Sequence, residues 1–102
     1  MVKVIKTDQG CYLATLTGNI VVLGRKESHR IKHELSAILK PGREITLDLE
    51  GVKNIDIASY KILRELKQHI DSRKCLLKFI NIDDTLTKKI EGISGKKFLV
   101  YD

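Results

Sequence analysis

The chain has 102 residues, of which 42% are apolar, and this length suits one domain with a single core. No apolar run approaches the roughly 20 residues that a membrane-spanning helix needs, and the opening residues lack the apolar core of a secretory signal. Two cysteines are too few for a disulfide framework. We therefore expect one cytoplasmic domain over residues 1–102, without membrane insertion.

The formal net charge of +6 raises the possibility of an anionic partner. The bases are interleaved with 13 acidic residues, and no more than two stand side by side, which favours a solvated surface. A small domain binding nucleic acid or anionic lipid is an alternative, and it would use Lys61, Arg64, Lys67, Lys88, Lys89, Lys96 and Lys97. Three tyrosines and two phenylalanines leave little for base stacking, which weakens the single-strand version of this alternative. Nucleic acid is disfavoured as a partner.

The first part of the chain predicts an edge hairpin. Residues 2–6 and 12–17 alternate apolar and polar side chains, which indicates two strands. Asp8-Gln9-Gly10 between them predicts a turn in which glycine takes positive φ. Residues 20–23 can form a strand of a second hairpin, turned at Gly18-Asn19.

A helix is predicted next. Ser28 can cap it. Pro41-Gly42 stops it within a few residues. Its apolar face comprises Ile31, Leu35, Ile38 and Leu39.

The centre of the chain predicts a strand, a short loop and a helix. Ile45, Leu47 and Leu49 alternate with polar residues, and Gly51 breaks the strand. Asp56 can cap the helix that follows. The predicted apolar stripe of this helix is Ala58, Ile62, Leu63, Leu66 and Ile70.

The last third predicts a strand, a helix and a strand. Residues 75–80 are apolar on both faces and predict a central strand. Asp83 or Asp84 can cap a short helix through Leu86, Ile90 and Ile93, and Gly92 and Gly95 flank its end. A final strand is predicted at residues 98–101. Alternation of strands and helices indicates an α/β fold with a mostly parallel sheet.

The segment LDLEGVKNIDIASYKIL resembles the central segment of a STAS domain, the module of anti-sigma-factor antagonists and sulphate-transporter tails. The positions that match its pattern are Asp48, Leu49, Gly51, Val52, Ile55 and Asp56. The resemblance implies a small β-α superhelix, a mixed and mostly parallel sheet with helices on one side, and a bend at Gly18 toward the first helix. It also implies that the phosphate-accepting hydroxyl of the family would fall at Ile57, which has none, while Ser59 stands where the family has glycine.

By resemblance, we expect a non-catalytic interaction domain, similar to bacterial anti-sigma-factor antagonists, that acts in signal transduction or transcription regulation. Its partner would be an anti-sigma factor with serine kinase activity or, alternatively, a membrane transporter for which it is an accessory subunit. The predicted partner-binding residues are Gly18, Asn19, Asn54, Asp56, Ile57, Ala58, Ser59 and Lys61. Ile57 either faces solvent as an apolar anchor or turns inward, and phosphorylation of Ser59 is a secondary hypothesis.

Chemistry at other positions is disfavoured. His29 and His33 lie one helical turn apart but have no third ligand at recognisable spacing, so no metal site is expected. A nucleophilic Cys11 or Cys75 would need a general base and an electropositive pocket, and no local motif supplies them. Asp48, Glu50 and Asp56 fit caps and loop ties better than acid-base catalysis. The sequence therefore predicts no enzyme and no cofactor.

Overall fold

A computed structural model describes residues 2–8, 10–16 and 18–94 of the chain. Within these ranges the strands are β1 (Val2–Asp8), β2 (Cys11–Leu16), β3 (Val22–Leu23), β4 (Glu44–Asp48), β5 (Asn54–Ile55) and β6 (Leu76–Ile80). The helices are α1 (Arg25–Ser36), α2 (Ile57–Ser72) and α3 (Asp84–Ser94). None of these helices is both long and apolar enough to cross a bilayer.

The main sheet has the strand order β1-β2-β4-β6. β1 and β2 form the predicted antiparallel hairpin at the edge, and Gly10 in its turn has a φ of +78°. β2, β4 and β6 are parallel, which confirms the predicted mixed and mostly parallel α/β sheet.

β6 differs from the prediction of a strand that is apolar on both faces and central. Leu77 and Phe79 are buried, whereas Leu76 and Lys78, which alternate with them, are half-buried, so the strand covers the core with one face. Among the described residues it pairs with β4 alone. The predicted strand at residues 98–101 lies outside the described residues.

β3 and β5 form a second, two-stranded parallel sheet. Their partners are Val22 with Asn54 and Leu23 with Ile55. Of the two alternatives for residues 20–23, the second hairpin is therefore wrong. The segment runs into α1, as the family resemblance implied.

α1 begins earlier than the sequence predicted. Gly24 is its N-cap, and the amide of Ser28 already donates a helical hydrogen bond to the Gly24 carbonyl over 3.0 Å. Ser28 is therefore an interior residue of the helix, fully buried, and the prediction that it caps the helix is wrong. The helix ends at Ser36, some residues ahead of Pro41.

α2 buries a face rotated from the predicted stripe. Leu63, Leu66 and Ile70 are buried as predicted, but Ala58 is exposed and Ile62 half-buried. Steps of four residues advance about 40° beyond a full turn, so a strict four-residue series drifts around the helix. The buried face contains Ser59, Tyr60, Leu63, Leu66, Lys67 and Ile70.

α3 begins as predicted, with Asp83 as the capping side chain. Its Oδ1 accepts a hydrogen bond of 2.8 Å from the Thr85 amide. Leu86 and Ile90 are buried, and the principal contacts of α3 are with β5. Gly92 lies within the helix rather than at its end. The Asp83 carboxylate also pairs with Lys53 at 3.2 Å, which ties the helix start to the loop before β5.

Candidate partner-binding site at the start of α2

The candidate site lies where β5 passes into α2. Gly51, with a φ of +87°, turns the chain after β4, and two residues of β5 precede Asp56, the N-cap of α2. Asp56 Oδ1 accepts a hydrogen bond of 2.7 Å from the Ser59 amide. That donation is the main reason why the pKa of Asp56 lies below its ordinary value, and the nearby Arg25 lowers it further. The predicted capping role of Asp56 is confirmed.

Ile57 faces solvent at the first position of α2. It is 58% exposed, the highest exposure among the large apolar residues of the described chain. Of the two alternatives for this side chain, inward packing is therefore wrong. Ala58 and Lys61 beside it are also exposed, so the start of the helix is open to another molecule.

Ser59 is fully buried under the first turn of α2. Its amide is held by Asp56, which keeps the side chain in place beneath the exposed residues. A kinase would reach its hydroxyl only if this turn opened.

Gly18 and Asn19 are exposed in the loop before β3, and Gly18 has a φ of +88°. The loop meets the candidate site through Val21, whose carbonyl accepts hydrogen bonds from the amides of Lys53 at 2.7 Å and Asn54 at 3.2 Å. Within the described part of the chain, no backbone hydrogen bond links Gly18 or Asn19 themselves to residues 54–61.

A groove between α2 and α3 adjoins Ile57. The sequence did not predict this groove. We call it the basic groove. It has a volume of about 780 Å³ and is lined by Ile57, Tyr60, Lys61, Arg64, Lys88, Lys89, Gly92 and Ile93. The groove therefore brings together Ile57, the predicted apolar anchor, and four basic residues of the alternative anion-binding surface: Lys61, Arg64, Lys88 and Lys89.

Lys67 does not belong to that surface. Its ammonium group is buried, donates to the Leu77 carbonyl over 3.4 Å and pairs with Asp71 at 3.4 Å. This part of the anion-binding alternative is wrong. Lys96 and Lys97 lie outside the described residues.

The other candidate residues have structural surroundings. Asp48 Oδ1 accepts hydrogen bonds from the Glu50 amide at 2.9 Å and from Asn81 Nδ2 at 3.0 Å, which ties two loops together as expected. His29 and His33 are exposed on α1. No group of three or more His, Cys, Asp or Glu side chains in the described ranges could hold a metal ion.

Comparisons with known proteins agree on the kind of domain. The family model described as STAS domain matches residues 3–99. A search of curated protein sequences gave no significant match.

Two solved structures show the same fold. One is titled as a crystal structure analysis of Mglu, with a TM-score of 0.69 and 15% identity over 82% of this chain. The other is the murine Solute Carrier 26 family member A9 anion transporter in its inward-facing state, with a TM-score of 0.64 and 19% identity over 85% of this chain. The match spans 20% of the first protein's chain and 14% of the second's.

Proposed function

The chain belongs to the STAS domain family, and from that premise we propose that it is a non-catalytic interaction domain that binds a regulatory protein through the start of α2. The proposed contact surface consists of Asn54, Asp56, Ile57, Ala58 and Lys61, which are all exposed.

The exposure of Ile57 is the observation that supports this proposal. A β-branched apolar side chain that is 58% exposed gains about 1–2 kcal/mol when a partner covers it. Buried apolar anchors surrounded by polar groups are typical hot spots of protein interfaces. Asp56 and the hydrogen-bonded first turn hold Ile57 in place, so little conformational freedom is lost on binding.

The finer proposal is a bacterial, cytoplasmic regulator similar to anti-sigma-factor antagonists but without their phosphorylation switch. Ile57 has no hydroxyl to accept a phosphoryl group, and Ser59 is buried. The partner therefore binds or dissociates in response to something other than modification at this turn.

A second candidate is an accessory domain of a membrane transporter. It is supported by the occurrence of the same fold in the murine anion transporter. The class of protein that binds Ile57 separates the two candidates: a signalling kinase or regulator favours the first, and a membrane transporter favours the second.

Affinity purification from the native host, followed by mass spectrometry, tests the proposed surface. The tagged wild-type chain is compared with Ile57→Asp and with the matched control Ile5→Asp, which changes an isoleucine of β1 that is 42% exposed. We expect a set of proteins that is recovered with wild type and with Ile5→Asp and lost with Ile57→Asp. Circular dichroism establishes that all three chains are folded.

Equal recovery of the same proteins by Ile57→Asp and wild type would show that the start of α2 is not the contact surface. Hydrolysis or group transfer by the purified chain on general substrate panels, abolished by a change in this surface, would overturn the non-catalytic assignment.

A further inference from the structure

The basic groove combines positive charge with apolar surface. Lys61 and Arg64 border it from α2, and Lys88 and Lys89 border it from α3, while none of the described residues that line it is acidic. Within the described ranges, none of these four bases forms an ion pair. Four like charges around one recess repel one another and create a positive field there.

The lining of the groove also includes apolar side chains. Ile57 lies at one end, and Tyr60 and Ile93 contribute to the lining. α3 contacts mainly β5 rather than α2, which leaves the two helices apart and the recess open. A ligand that fits this lining must present anionic groups and an apolar side chain together.

A second hollow continues the same surface. Lys88 and Lys89 border it as well, together with Lys53, and it contains two exposed valines, Val21 and Val22. These valines are 50% and 52% exposed. The surface therefore extends from α2 across α3 to the loop before β3 and includes both basic and apolar residues.

We propose that the basic groove binds an acidic amphipathic segment of a protein partner, with apolar side chains against Ile57 and Ile93 and carboxylates facing Lys61, Arg64, Lys88 and Lys89. This inference rests on the proposed function and identifies the chemistry of the partner. Insertion of an amphipathic segment into a groove between helices is a common mode of peptide recognition.

Two features disfavour phosphate-rich partners. Among the described residues that line the groove the one aromatic is Tyr60, and at 5% exposure it offers no face on which a nucleobase can stack. The lysine and arginine side chains surround a recess between two helices rather than a flat face. A recess suits a segment of polypeptide better than the surface of a bilayer.

The probe is a synthetic helical peptide of about 15 residues with leucines on one face and glutamates on the other. A matched peptide replaces every glutamate with glutamine. Binding is measured by fluorescence anisotropy at about 0.05 and 0.5 M NaCl, and the site is mapped by NMR amide shifts. A short single-stranded oligonucleotide and vesicles with anionic lipid are titrated under the same conditions.

We expect the acidic peptide to shift the amides of residues 57–64 and 88–93, and to bind more weakly at the higher salt concentration. The double variant K88E/K89E should weaken binding roughly tenfold or more, since each reversal replaces an attraction with a repulsion. The control K32E/K40E makes the same charge change at exposed positions outside the groove and should leave binding within about twofold.

Equal binding of the glutamate and glutamine peptides, or an unchanged affinity of K88E/K89E, would overturn the inference. Binding of the oligonucleotide or the vesicles without binding of the acidic peptide would overturn it as well. If host proteins are lost with Ile57→Asp but retained by K88E/K89E, the proposed function stands and the acidic-segment inference fails. If both Ile57→Asp and K88E/K89E retain the host proteins, the proposed function itself is wrong.

Discussion

The helix starts that follow β3 and β5 have the same arrangement of strand and helix, but their N-caps differ. The strands pair side by side, and each ends in a buried residue, Leu23 in one and Ile55 in the other. α2 then begins with a carboxylate that caps it, whereas α1 begins at Gly24, which offers no side chain to its free amides.

The difference shows that burial and capping are separate contributions at these junctions. The buried pair anchors both helices to the core, because Leu23 is 0% and Ile55 is 1% exposed. The cap acts on α2 alone and fixes the turn that presents Ile57. The capped junction is thus the one that carries an exposed isoleucine, Ile57, in the first turn of its helix.

The largest effects should come from the buried residue that ends the strand at each junction. Leu23→Ala and Ile55→Ala should each lower the free energy of unfolding by about 2–5 kcal/mol, because each leaves a cavity in the core. Urea denaturation measures both, with the exposed Val22→Ala as a control that should cost less than about 0.5 kcal/mol. A Leu23→Ala cost as small as that of the control would mean that the two junctions are not equally anchored.

The cap of α2 should have an intermediate effect. Asp56→Ala should lower the free energy of unfolding by about 1 kcal/mol, because the Ser59 amide loses its acceptor. Asp56→Asn should recover most of this loss, since asparagine caps nearly as well as aspartate. Thermal denaturation at neutral pH compares the three chains, and an asparagine variant as unstable as the alanine variant would contradict a capping role.

Acid should weaken the α2 junction through the same carboxylate. The pKa of Asp56 in the folded chain lies below its ordinary value of 3.8, mainly through the Ser59 amide. A group with a lowered pKa contributes stability above its unfolded-state pKa, and this contribution is lost as the pH falls through the folded-state pKa. Between about pH 5 and pH 3 the wild type should therefore lose more stability than Asp56→Asn. Parallel pH profiles of the two chains would refute this expectation.

The smallest effect is expected from giving α1 the cap that it lacks. Gly24→Ser should raise the free energy of unfolding by a few tenths of a kcal/mol, because it creates a Ser-x-x-Glu capping box with Glu27. The new Cβ would lie 3.2 Å from Glu27 Oε2, the mobile end of a side chain that can shift. Gly24→Ala adds the same Cβ without a hydroxyl and should not stabilise the chain. Equal stability of the two variants would exclude capping as the cause.

The sequence predicted the α2 junction better than the α1 junction for a physical reason. Asp56 follows a strand break and belongs to the residues that cap helices, so it indicates a helix start by itself. Gly24 carries no such side chain, and Ser28 is the nearest hydroxyl residue before the apolar series of α1, so the sequence predicts the cap four residues too late.

The exposure of Ile57 and the existence of the basic groove needed the structure. An isoleucine after a cap can pack or face solvent, and sequence spacing does not decide between them. The groove depends on α3 resting on β5 and standing apart from α2, which is a long-range arrangement between segments distant in sequence.

The two thiols of the chain differ in their surroundings, and this has a practical use. Cys75 is 8% exposed, and its Sγ donates to the Lys40 carbonyl over 3.0 Å, whereas Cys11 is half-buried. Cys11 pairs with Glu44 at the beginning of β4, and the start of α2 follows the opposite end of that strand. A maleimide dye therefore has its more accessible attachment point at Cys11, where it can signal the arrival of a partner without covering the residues that receive it.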